Sequence, residues 1–374
     1  MAAAKHANGV APRQRKTLNT TTSNGVNGKH HNKTAKATTR RKHLDPSLLR
    51  RCLCIATTRT WLIPLLLLLV LLAIYAVSPT ESNIVHPFIF LSYKQQPAAP
   101  DVARPVQYGK GKRDVTFVCF YMVVLSFTRE LFMQEIFRPL ARRLGIRSRG
   151  KQLRFMEQTY TALYFALMAP FGVYAMRRTP VWYFNTRAMY QDFPHKTHEA
   201  CFKFYYLFQA AYWAQQAIVM LLGLEKPRKD FRELIAHHII TISLIALSYR
   251  FHFTYMGIAV YLTHDISDFF SRQVASLPNL RILYSLLGEF QTVGPYVLNW
   301  QTQQYKCWIS SVITFTLLAF IQALYLFWLF CLLRIGYRYI VHNIARDGRS
   351  EAEASEAEQM NSYSNGSAKG MVKT

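Results

Sequence analysis

The 374 residues include 45 Lys and Arg against 20 Asp and Glu, a formal charge of +25, yet only 17% are charged while 51% are apolar and 14% aromatic. A soluble domain has about 25% charged residues. Here the apolar residues gather in runs that approach the roughly 20 needed to cross a hydrocarbon core, so an all-α polytopic membrane protein is expected. The basic residues sit in tails and loops beside those runs, as the positive-inside rule requires, and no nucleic-acid-binding motif accompanies them, which argues against a nucleic-acid partner.

Residues 1–60 open with a polar, basic tail in which Asp45 is the only acid of the first 51 positions. Such a composition cannot bury a core, and some sixty polar residues ahead of the first apolar run are not a cleaved signal peptide. The first transmembrane helix is expected within 61–78, from Leu62 to Val77. Further helices are expected near 115–132, 155–176, 203–224, 234–250, 253–270 and 309–333, within a membrane domain over 114–342. A polar tail, 343–374, follows. Its Ser350 and Ser355 each precede an acid by three residues, the pattern of an acidophilic kinase site. Both tails and the loops at 138–154 and 225–232 are basic-flanked and expected to be cytosolic. Both ends on one side requires an even number of crossings, whereas the apolar runs number seven.

The cysteines do not form a disulfide scaffold. Cys119 and Cys331 lie inside apolar runs, and Cys52 and Cys54 just before the first one are candidates for palmitoylation. The sequons at Asn19, Asn32 and Asn365 fall in the tails expected to be cytosolic and should be unused.

Ionisable groups within a span are costly and mark functional sites. His237 and His238 lie in the fifth run, Asp265 and Asp268 in the sixth. The turn at Tyr249–Thr254 makes these two runs an antiparallel hairpin. His238 and Asp265 are equidistant from its centre and should face one another, with Asp268 one turn deeper on the same helix face. A His held by a carboxylate can take a proton or become an acylated nucleophile. The plain alternative is that the four residues only satisfy one another and join the helices. A shared metal is disfavoured because tandem His residues point about 100° apart, and His195 and His198 belong to the opposite side. Lys226, Arg228, Lys229 and Arg232 lie where the phosphates of a coenzyme could dock, or simply orient the helix. Gln209, Gln215 and Gln216 read as interhelical hydrogen bonding, Arg129 and Glu130 as a pair, and Trp182, Tyr183, Tyr205 and Tyr206 as an interfacial aromatic belt.

The stretch running from Phe202–Leu207 through Glu225–Phe231, Ala236–Thr241 and Ser248–Tyr249 to Asp265–Phe270 resembles the longevity-assurance motif of the ceramide synthases. Tyr296–Trp300 and Thr302–Ile309 resemble their fungal branch. The resemblance covers about 114–346. It implies a TLC-type helical bundle around a lipid tunnel, residence in the endoplasmic reticulum with a cytosolic N-terminus, and acyl-CoA, a sphingoid base and membrane lipids as partners. It implies no cofactor beyond acyl-CoA as substrate, and it allows a homo- or hetero-dimer and a small accessory subunit. The catalytic role it carries falls on His237, His238, Asp265 and Asp268.

Two positions depart from the family pattern. His264 stands where the family usually has Met. Between Asp268 and the segment Asn279–Ser285 the family has a complete transmembrane helix, whereas only Ser271–Pro278 intervenes here, so one wall of the tunnel should be lost and either the C-terminal tail stranded in the lumen or the last helices distorted. Excision of an exon would account for it, and the chain would then be an inactive form of the synthase. The expected reaction joins an acyl thioester to a primary amine, with an imidazole as general base or as an acyl carrier. The other readings are a non-enzymatic lipid-handling or translocation protein of the same fold, and a di-iron lipid hydroxylase or desaturase.

Overall fold

The computed structural model describes residues 59–96, 105–223, 230–270 and 276–342. Eight long helices account for most of them: α1 Leu62–Val77, α2 Arg113–Leu131, α3 Arg149–Arg177, α4 Ala200–Leu221, α5 Phe231–Arg250, α6 Thr254–Phe270, α7 Ser276–Leu287 and α8 Trp308–His342. A π-helical stretch, Phe132–Phe137, and the short helix Arg138–Arg143 continue α2. Among the described residues, the helices within Arg113–Arg143, Phe231–Arg250 and Trp308–Arg338 are long and apolar enough to cross a membrane unaided, and Leu62–Val77 is a shorter apolar helix. The protein is a multi-pass, all-α membrane protein. Its only paired strands among the described residues are two-residue ladders, Gln107–Tyr108 with His198–Glu199 and Leu298–Asn299 with Gln304–Tyr305.

The helices alternate in direction between two ends, and named contacts fix each reversal. One end holds the turn between α5 and α6 and is called the turn end. There the Lys203 ammonium at the start of α4 meets the Asp114 carboxylate at the start of α2 at 2.7 Å, and Tyr249 at the end of α5 donates to the same carboxylate at 2.7 Å. Lys203 also donates to the carbonyls of Ser92 and Gly109. Both charges are buried, an arrangement that survives only because each has several partners. The other end, called the basic end, carries Arg138–Arg143 and the start of α3. At that end Trp61, just before α1, donates to Glu135 at 3.2 Å, and Trp328 of α8 donates to Asp230, just before α5, at 3.0 Å.

The parity left open by the sequence closes on α7. Thr263 of α6 donates to Asn279 at the start of α7 at 3.2 Å, and Phe290, three residues past its end, stacks on Phe253 at the turn end. α7 therefore returns antiparallel to α6, and Tyr190 and Ser285 share a 2.7 Å hydrogen bond near its close. The chain thus runs between the two ends eight times among the described residues, and Arg59 and Arg338 lie at the same end. At 12 residues α7 is about 18 Å long, well short of the roughly 30 Å hydrocarbon core, which is why no length criterion finds it. The expectation of distorted last helices is corrected at the same point. α8 runs unbroken from Trp308 to His342 and packs against α5 and α7.

Candidate active site

The site is built where α4, α5, α6 and α8 converge. His237 and His238 on α5 are both buried, with ring centroids 5.7 Å apart. Trp213 of α4 packs against both, 5.7 Å from His237 and 5.9 Å from His238. Trp328 and Tyr325 of α8 close the far side of His237 at 5.5 and 6.1 Å. Together with Tyr212, Gln216 and Leu234 these residues line a cavity of about 120 Å³.

A second cavity, about 80 Å³ and walled mostly by apolar side chains, runs between α5, α6 and α8 from His264 to Phe251 and Phe253 at the turn end. His264 stands at the junction: it lines the apolar cavity, yet its ring is 5.8 Å from that of His237, which lines the other.

The hairpin register sets the depth of these groups, and the third helix sets their facing. His237 meets His264 at the depth that the Tyr249–Thr254 turn implies. Asp265 is the next residue, rotated by about 100°, and its fully buried carboxylate is turned to α4. Tyr205 donates to it at 2.6 Å and the Gln209 amide also donates to it. Tyr164 of α3 in turn donates to the Gln209 carbonyl at 3.1 Å. The sequence reading paired Asp265 across α5 and α6 alone and missed α4 as its support. It also placed Tyr205 and Tyr206 in an aromatic belt, whereas both are buried. Tyr205 serves Asp265, and Tyr206 shares a hydrogen bond with Ser248. Gly172 of α3 makes room for this, since a Cβ there would sit 2.6 Å from the Tyr205 hydroxyl.

The tautomer of His238 is set by the backbone. A carbonyl can only accept, so the 2.9 Å contact between His238 Nδ1 and the Leu234 carbonyl puts a proton on Nδ1. The same holds for His264, whose Nδ1 donates to the Val260 carbonyl at 2.7 Å. Arg129 pairs with Glu130 at 2.7 Å, away from these rings on α2. Arg232 is exposed on the first turn of α5. Asp268 lies on α6 but its side chain, like Lys226, Arg228, Lys229, Ser350 and Ser355, lies outside the described residues. Among the described residues no group of three or more His, Cys, Asp or Glu side chains is placed to hold a metal ion.

The TLC-domain family model matches residues 154–275, the segment that runs from within α3 to the end of α6 and beyond. A sphingosine N-acyltransferase-like protein of Gibberella moniliformis is 50% identical, with 80% of this chain and 84% of that protein covered. The chain belongs to the ceramide synthase family. A sphingosine N-acyltransferase of Schizosaccharomyces pombe is 43% identical over 80% of this chain and 82% of its own, and a ceramide synthase of Saccharomyces cerevisiae is 42% identical over 80% and 77%. The match to the Gibberella protein spans 326 positions but takes in 80% of the 374 residues here, about 299, so about 27 positions of that ceramide synthase relative have no counterpart. The short α7 follows directly where the TLC match ends.

Proposed function

We propose that the chain transfers a fatty acyl group from acyl-CoA to the amine of a sphingoid base, in the endoplasmic-reticulum membrane with its basic end cytosolic. The observation that carries this reading is His238, a buried imidazole whose Nδ1 donates to a backbone carbonyl, beside His237 in a cavity that adjoins an apolar one. A neutral amine attacks the thioester carbon, its N–H proton passes to Nε2 of His238, and the C–S bond breaks. The same proton then returns to the departing thiolate, so that amide and free thiol are the products and the imidazole is restored. Asp265, held by Tyr205 and Gln209, supplies the negative charge that favours a cation in this chamber. Asp268 and the basic run Lys226–Arg232 are assigned by resemblance to the same reaction, the acid beside Asp265 and the run at the coenzyme phosphates. The apolar cavity suits a hydrocarbon tail.

The test is acyl transfer by purified full-length chain given sphinganine and palmitoyl-CoA. His238→Ala is expected to lower kcat by about 10²–10⁴ without loss of folded protein, the usual weight of a positioned general base. Turnover that survives in His238→Ala removes that residue from the chemistry. A wild-type chain that binds both lipids but makes no ceramide supports a lipid-handling role instead. Mass-spectrometric detection of an acylated His237 or His238 during stalled turnover replaces direct attack with a two-step route.

A further inference from the structure

Trp213 of α4 stands in the wall of the histidine chamber, and the reaction as proposed above makes no use of it. The indole is buried, and its N–H meets no hydrogen-bond acceptor among the described residues. The second indole of the chamber differs, because Trp328 spends its N–H on Asp230 at 3.0 Å. Besides its contacts with His237 and His238, Trp213 packs nearly perpendicular to Tyr212 at 5.8 Å and to His264 at 5.9 Å. These rings hold the indole beside both imidazoles. An indole N–H donates and never accepts, and a donor buried without a partner is costly. Of the two substrates, the fatty acyl thioester brings the matching group to its reacting centre, a carbonyl oxygen that accepts. The lone pair of the amine is spent on bond formation.

We propose that the Trp213 N–H is the hydrogen-bond donor to the carbonyl oxygen of the acyl thioester, which makes Trp213 a catalytic residue for the transfer. The inference rests on the reading of the site as an acyl-transfer centre and adds the substrate atom that Trp213 holds. When the amine adds to the carbonyl carbon, the C=O electron pair moves onto oxygen, and it returns as the C–S bond breaks. Negative charge on that oxygen exists only between these two events. A fixed, buried donor strengthens its bond as the charge appears, and no proton leaves the indole. His238 takes the proton of the amine while Trp213 steadies the oxyanion.

The experiment measures equilibrium binding and steady-state kinetics of the full-length wild type, Trp213→Phe and Trp213→His. The ligands are palmitoyl-CoA and S-hexadecyl-CoA, a thioether of the same chain length that has no carbonyl. Wild type is expected to bind the thioester about tenfold more tightly, the usual worth of one buried hydrogen bond. In Trp213→Phe, which keeps an aromatic ring and loses the donor, that preference falls to near unity. Its kcat drops about 100-fold, while the KM for sphinganine is unchanged. Trp213→His, whose ring retains an N–H, keeps a preference of several-fold and recovers part of kcat. Equal binding of the two ligands by wild type, a preference that persists in Trp213→Phe, or an equal loss for both ligands overturns the inference even if ceramide is made. A Trp213-dependent preference in a chain that makes no ceramide sustains the carbonyl contact while the acyl-transfer reading fails. Failure of wild type to bind either ligand overturns both. Should neither variant fold, infrared spectra of wild type with palmitoyl-CoA isotopically labelled at the carbonyl carbon decide the matter. A carbonyl stretch lowered on binding sustains the contact, and an unshifted one overturns it.

Discussion

Lowering the pH is expected to loosen the turn end before any other part of the protein. His195 and His252 are buried there, and burial, reinforced by the nearby Lys110 ammonium, pulls both imidazoles down to about 4 from the ordinary 6.5. His198, which shares a 2.8 Å hydrogen bond with Thr254, is shifted in the same direction for the same reasons. Lys110 is itself wedged between Thr254, His252 and the face of Tyr249, and burial lowers its pKa well below the usual value. Lys203, Lys196 and Arg250 add positive charge around the cluster, while Asp192 and Asp114 oppose it.

A base whose folded pKa is depressed stays neutral while the unfolded chain takes up a proton. Its contribution to stability is therefore complete above 6.5 and is lost as the pH falls toward 4. At pH 5 the difference is about 2 kcal/mol for each of His195 and His252, so about 4 kcal/mol for the two, against a typical total of about 5–15 kcal/mol. In detergent, the unfolding midpoint should drop by roughly 8 °C between pH 7.5 and pH 5, at about 2 °C per kcal/mol for a large chain. His195→Gln cannot titrate and should lose about half of that drop, as should His252→Asn, which also suits the left-handed backbone at φ 66°. Identical drops in wild type and both variants would refute the reasoning.

Three further outcomes follow from the packing. Lys203→Met leaves the buried Asp114 carboxylate without its cation and should cost about 3–5 kcal/mol in chemical unfolding, most of it recovered in the double variant with Asp114→Asn. Gly172→Ala pushes the Tyr205 hydroxyl off Asp265, so it and Tyr205→Phe should each reduce kcat about tenfold. Because they act through one contact, the double variant should be no worse than either single one, and additive losses in a kinetic cycle would contradict that link. Single cysteines at Arg59 and Arg338 should label from the same side of sealed vesicles, and one at Thr302 from the opposite side. Labelling of Arg59 and Arg338 positions from different sides would break the eight-pass topology.

Much of the site's depth was legible in the chain and little of its facing. The short turn after Arg250 fixes which residues of α5 and α6 lie level with one another, and the level found that way holds His237, His238, His264 and Asp265. Which of them meet depends on helix rotation. His264 and Asp265 are consecutive and point to different neighbours, and only α4, nearly sixty residues earlier, reveals that Tyr205 and Gln209 claim the carboxylate. The tautomer of His238 was equally hidden, since a backbone carbonyl four residues back sets it and every helical residue has one. α7 escaped for a different reason. Its 12 residues are too few to read as a span, and only its hydrogen bond to Thr263 at one end and the stacking of Phe290 on Phe253 near the other show that it carries the chain back. The run at Lys226–Lys229 and the serines of the C-terminal tail lie outside the described residues.

Whether a chain with so short a return helix still encloses a working tunnel is decided by turnover. The direct measurement is ceramide formed per minute from sphinganine and palmitoyl-CoA by the purified wild type beside His238→Ala. Steady turnover in the first and a loss of at least about 100-fold in the second is the predicted pair of results. Equal rates in the two proteins would contradict the assignment of proton transfer to this histidine, and no product from a well-folded wild type would show that the centre, though assembled, does not join these substrates.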